Sequence, residues 1–139
     1  MKCNNFDIIS ISNVLNTYAD KKLPQKISYA ITKNIMNISG DLDCYSRQLN
    51  KIIDSYKEYQ KKENGEPVMS PIGVPLVEDK YTDEYMGEIS ALLNIEVDVS
   101  LYTIDESEFD YDGERFDPLS ASDIMKLAKI LCYKEKEDA

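Results

Sequence analysis

The sharpest chemical pattern in this chain is Glu108-x-Asp110-x-Asp112-Gly113. Carboxylates at alternate positions followed by glycine match the opening of a calcium loop, where hard oxygen ligands converge on one cation. The match then stops. The ninth position of that register is Phe116 and the twelfth is Leu119, where a bidentate Glu is needed. The expectation is a solvated acidic loop, with no metal and no other cofactor. A second pair, Glu96 and Asp98, shares one face of an alternating stretch. A magnesium-dependent nuclease could use such carboxylates with a lysine, but nothing in the sequence fixes that set.

Other chemistry is thin. The 139 residues contain no histidine, so acid–base work near neutral pH would need a shifted carboxylate, Cys or Lys. Cys3, Cys44 and Cys132 are odd in number and far apart. They fit neither a disulfide framework nor a zinc motif, and a reducing cytosol is the simple reading. Gly40, Gly87 and Gly113 belong to no phosphate-cradling loop. The chain has 26 acidic against 16 basic residues, a net charge of −10. Phosphate contacts need the opposite excess, so direct nucleic-acid binding is not expected, despite 10 Tyr and 3 Phe. The strip Asp105, Glu106, Glu108, Asp110, Asp112, Glu114 and Asp117, interrupted by Arg115, could occupy a basic groove on a nucleic-acid enzyme. No stretch approaches the roughly 20 apolar residues of a membrane span, and no targeting segment is visible.

The elements that would position these residues centre on one helix. Ile31, Ile35, Ile38, Leu42, Tyr45, Leu49, Ile52, Tyr56 and Tyr59 follow one another in alternating steps of four and three. That is a heptad seam, a long face for a partner helix. Pro24 suits the first helical position. The spacing predicts a helix over about residues 24–62, roughly 57 Å at 1.5 Å per residue. Gly40 sits off the seam and marks a bend, a close crossing or a break.

Shorter elements surround it. Residues 6–12 are β-branched-rich and read as an edge strand, followed by a short helix over 13–20. Gly65 reads as the left-handed cap ending the long helix. Residues 63–79 form a Pro-rich ordered loop with a small hairpin around Met69 and Val74. A second helix is expected over about 82–93, with Tyr85, Ile89 and Leu92 inward. Residues 95–101 alternate apolar and polar, the clearest strand. After the acidic loop 105–118, Ser120 and Asp123 form a capping box opening a final helix that buries Ile124, Leu127, Ala128 and Leu131. Residues 134–139 should fray. No internal repeat is evident. The expected fold is α+β: one domain over 1–139, its long heptad-seamed helix packed by shorter helices and a small antiparallel sheet.

The segment Leu23-Pro24-Gln25-Lys26-Ile27-Ser28-Tyr29-Ala30-Ile31-Thr32-Lys33-Asn34 resembles the start of the long helix in small uncharacterised proteins of tailed bacteriophages and Gram-positive prophages. The similarity continues through Tyr45-Ser46-Arg47, Ile53-x-x-Tyr56 and the final Leu119, Ser120, Asp123, Leu127 pattern. It covers residues 18–132. The resemblance implies a phage or prophage accessory protein and carries no catalytic residues across. Tyr29, Lys33 and Asn34 could form a polar patch near the start of the helix; Lys33 and Asn34 could equally cap neighbouring backbone or face water.

The expectation is therefore a non-enzymatic protein acting through protein–protein interaction, structural or accessory. It would be cytoplasmic in the host cell or virion-associated. Self-association through the seam is the most economical way to cover it. An acidic inhibitor of a host nucleic-acid-binding or defence enzyme is the alternative, with the basic partner met by Asp105, Glu108, Asp110 and Asp112. A carboxylate-dependent metal enzyme is the third reading.

Overall fold

The computed structural model describes residues 1–56 and 59–134. The fold is α+β. Four helices, α1 (Asn5–Tyr18), α2 (Gln25–Asp54), α3 (Thr82–Leu93) and α4 (Ala121–Leu131), accompany a two-stranded antiparallel sheet of β1 (Lys2–Asn4) and β2 (Glu96–Asp98). The register pairs Lys2 with Asp98, Cys3 with Val97 and Asn4 with Glu96. Met1 and Val99 extend it by exchanging backbone hydrogen bonds of 2.8 and 2.9 Å.

The N-terminal reading is corrected. Residues 6–12 are helical, and the strand lies before them. Asn4 and Asp7 cap each other reciprocally and start α1. The buried residues Ile8, Ile11, Leu15 and Tyr18 then recur at helical spacing. The β-branched run satisfied a strand propensity, but its burial period is that of a helix.

The chain also forms two compact units where one domain was expected. The first is residues 1–42 with 96–139, and the second is 43–95. In the first, the early turns of α2 share a core with α1 and α4. Ile8, Leu15, Ile27, Ile38, Leu127 and Leu131 are all fully buried there. Each such side chain contributes about 1.5–3 kcal/mol by leaving water. In the second, the last turns of α2 pack on Val74, Val77, Tyr85 and Ile89. The Pro-rich loop supplies the apolar residues that give this second core its own identity.

The helix α2 ends at Asp54, eight residues before the expected limit of 62. Ser55 donates its N–H to the Lys51 and Ile52 carbonyls and its hydroxyl to Ile52 O, which tightens and stops the turn. Lys57 and Glu58, part of the expected helix, lie outside the described residues, as do 135–139 of the expected frayed tail. The helix runs unbroken through Gly40, where an added Cβ would meet nothing within 4 Å.

Residues 59–77 form three extended pieces joined by two like turns. Tyr59 bridges Val77, Lys61 bridges Pro67, and Met69 bridges Pro75. Their backbones close a ring. Gln60 N–H donates to Leu76 O (2.7 Å), Leu76 N–H to Val68 O (2.8 Å), and Val68 N–H to Gln60 O (2.8 Å). Both turns end on a left-handed glycine, Gly65 (φ 84°) and Gly73 (φ 82°). Each is a three-residue hairpin loop with a glycine bulge. Gly65-Glu66-Pro67-Val68 and Gly73-Val74-Pro75-Leu76 are thus the same device used twice. Gly65 closes a hairpin and is not the helix cap expected of it.

Candidate interaction surfaces

The seam residues are consumed within the chain. Ile31 and Ile38 are buried, and Ile35 and Leu42 pack against the same core of the first unit. Leu49, Ile52 and Tyr56 pack on the core of the second. Tyr45 is half-buried, and burial raises its phenol pKa. Tyr59 has left the helix. It pairs with Val77, and its hydroxyl donates to the Ile53 carbonyl. Of the nine, Ile31 and Ile38 are buried and the other seven are half-buried within the chain.

The acidic strip does not converge. Asp105 caps a short 3-10 turn (Glu106–Phe109) by accepting from Ser107 N–H at 2.9 Å, and that bond holds its carboxyl below the usual range. Glu108 is half-buried and pairs with Lys26 at 3.2 Å. Asp110 follows as the residue closing the turn, its N–H donating to Ser107 O. Asp112 accepts from Glu114 N–H at 2.9 Å. Asp117 receives Lys22 N–H at 2.7 Å. Asp105 and Asp112 thus serve their own backbone, while Glu108 and Asp117 hold Lys26 and the Lys22 backbone. Among the described residues, no group of three or more His, Cys, Asp or Glu side chains is placed to hold a metal ion. Glu96 and Asp98 stand exposed on β2, with Asp98 Oδ1 3.6 Å from the Met1 amino group.

A different face of α2 carries two exposed apolar side chains. Tyr29 is 55% and Met36 64% exposed, two turns apart with Lys33 between them. The Tyr102 ring meets Tyr29 edge-on at 5.2 Å and is itself 42% exposed. Two amides fix this arrangement. Asn34 Nδ2 donates to Tyr102 O at 2.8 Å, and Tyr102 N–H donates to Asn34 Oδ1 at 2.7 Å. Asn37 Nδ2 donates to Ser100 O at 3.1 Å. The side chain of Asn34 therefore pairs with both backbone groups of one residue, as a neighbouring strand would. Sequence reading placed Asn34 on a polar surface patch with Tyr29 and Lys33. It is fully buried. Its position between Ile31 and Ile38 on the inward face was the available signal.

The second unit carries a tyrosine corner. Tyr56 meets Tyr85 at 4.9 Å and Tyr81 at 6.2 Å, both edge-on. The Tyr56 hydroxyl donates to Glu88 Oε2 at 2.8 Å. Burial, this bond and the nearby Glu84 push its pKa up to about 12. Tyr85 is buried, and its hydroxyl donates to Pro75 O at 2.8 Å. The Lys80 ammonium sits 4.9 Å above the Tyr81 ring.

The three free thiols differ in exposure: Cys3 is buried, Cys132 half-buried and Cys44 exposed. Burial raises the pKa of Cys3 and of Cys132. Cys132 lines an open cleft of about 420 Å³ with Thr103, Ile104, Asp105, Glu106 and Lys134. Among the described residues, no helix is long and apolar enough to cross a membrane. Compared with known protein families, with curated proteins and with solved structures, the chain gives no match.

Proposed function

We propose that this chain is a non-enzymatic structural or accessory protein of a tailed phage or prophage, and that it works by binding another protein. The observation that carries the reading is the exposed set Tyr29, Met36 and Tyr102 on one side of the first unit. Clustered exposed aromatic and Met side chains favour association, because covering them removes apolar area from water. The phage setting rests on the resemblance of residues 18–132. The partner is a second copy of the chain or another phage protein, met in the host cytoplasm or in the virion. Self-association, on this reading, uses the outer face of α2, since using the seam would require opening both cores.

The test is affinity capture from infected or lysogenic cells, with the native mass of the complex measured. Tyr29→Asp with Met36→Asp should abolish capture and leave helicity and Tm unchanged. A variant that still assembles with the same mass sinks this face as the binding site.

A second reading is an acidic inhibitor of a host nucleic-acid-binding or defence enzyme. It is favoured by one feature: Asp105, Asp110 and Asp112 remain exposed, and Glu108 is the member paired with a cation. Binding to a basic host protein that weakens steeply between low and high salt would support it.

A further inference from the structure

The second unit carries a cluster of tyrosine rings and carboxylates built on Tyr56 and α3. Tyr81, Glu84, Tyr85 and Glu88 follow one another at helical spacing along one side of α3 and its N-cap. Tyr56 lies along this side, touching the Tyr81 and Tyr85 rings and bonding Glu88. Tyr81 is 41% exposed, and Glu84 and Glu88 are exposed. A tyrosine face carries negative potential, and carboxylates beside it deepen that potential. The chain itself already answers to it. Lys80 folds back over Tyr81 and pairs with Glu78 at 3.6 Å. An ammonium on a flexible four-carbon stem is a replaceable occupant.

We propose that the Tyr56–Tyr81 corner, with Glu84 and Glu88, docks an arginine side chain presented by a basic partner protein. Arginine fits better than lysine. Its planar guanidinium stacks on a ring and still directs N–H donors sideways to carboxylates. Glu88 offers one oxygen to Tyr56 and keeps the other for an incoming donor. The chain's net charge of −10 favours approach of such a partner.

The test uses the whole chain and three capped heptapeptides of sequence Gly-Ser-Xaa-Gly-Xaa-Ser-Gly, with Xaa as Arg, Lys or citrulline. Binding is followed by calorimetry and by NMR shifts of the tyrosine rings. The Arg peptide should bind and move the Tyr56 and Tyr81 ring signals. The citrulline peptide, isosteric but uncharged, should not bind, and the Lys peptide should be weaker. Tyr81→Leu, which leaves the net charge untouched, should weaken the Arg peptide about fivefold. Tyr81→Phe should retain it. Asp110→Asn with Asp112→Asn removes as much charge as Glu84→Gln with Glu88→Gln, yet only the Glu pair should reduce binding. Equal binding of Arg and citrulline peptides, indifference to Tyr81→Leu, or equal effects of the two carboxylate pairs would each overturn the site. The Tyr29 and Met36 variants test a separate surface, so either proposal can fail alone.

Discussion

Asn34 should be the most revealing single residue to change. Its side chain is fully buried and makes both hydrogen bonds that the Tyr102 peptide offers on that side. Asn34→Ala deletes both and leaves an N–H and a C=O facing a gap. Each unsatisfied buried group costs about 1–3 kcal/mol. Tyr102 is 42% exposed as a residue, so the lower half of that range applies to each group. For two groups the expected loss is about 2–4 kcal/mol. With a urea m-value near 2 kcal/mol/M, the midpoint should fall by about 1–2 M.

Asn34→Asp sharpens the test. Ionised, it turns a negative oxygen toward the Tyr102 carbonyl and should be worse than alanine. Protonated, its O–H can donate to Tyr102 O while the other oxygen accepts from Tyr102 N–H. Burial beside a carbonyl raises such a carboxyl above its unfolded pKa of about 3.9. A raised folded pKa means stability present below the unfolded value and lost as pH rises through the folded one. The variant should therefore approach the parent near pH 4 and fall furthest from it near pH 7. Urea melts of parent and variants at both pH values measure this. An alanine variant within about 0.3 M of the parent, or an aspartate variant whose deficit ignores pH, would refute the strand-mimic reading of Asn34.

Other outcomes follow from the same structure. Gly40→Ala should raise thermal stability, by up to about 1 kcal/mol, because α2 regains propensity and the new methyl meets nothing within 4 Å. Gly73→Ala should lower it by about 1–2 kcal/mol, since its φ of 82° is left-handed. Ser120→Ala should cost about 1 kcal/mol through loss of the α4 cap. Tyr18 holds the Asp123 carboxyl below its usual range by donating to Oδ1 at 2.5 Å. A depressed folded pKa gives stability present above the unfolded value and lost as pH falls through the folded one. Tyr18→Phe should flatten acid denaturation below about pH 4; an unchanged acid limb counts against that bond. Absorbance titration of Tyr56→Phe should lose a phenol that ionises at about 12 in the parent. Because that pKa is raised, the associated stability is full below the unfolded tyrosine value and is lost as pH rises through the folded one.

Local rules were legible in the sequence wherever neighbours in the chain decide the outcome. The α3 limits, the Ser120–Asp123 capping box, the inward Tyr85, Ile89 and Leu92, and the helical part of the seam, Ile31 to Ile52, all depend on spacing within a few turns. Ile124 and Ala128 on α4 are half-buried, while Ile130, next to the expected stripe, is buried. The side facing the core is set by what α4 meets. The opening helix was misread because Ile8, Ile9 and Ile11 satisfy two periods at once, and only the Asn4–Asp7 cap with a shared core selects one. The eight-residue Gly-x-Pro repeat was visible but too short to be noticed without its ring of hydrogen bonds.

Composition, the absence of histidine, the failed calcium register and the helical seam belong to the sequence alone. They are properties of residue type and of contacts near in the chain. Tertiary structure decided what the seam covers, that Asn34 bonds the backbone of Tyr102, 68 residues away, and that Tyr56 meets Tyr81 and Tyr85. It also decided that Asp105 and Asp112 of the acidic strip cap their own turns while Glu108 meets Lys26. Those outcomes depend on which distant surfaces compete for the same apolar area and the same backbone donors. No spacing rule within one segment encodes that competition.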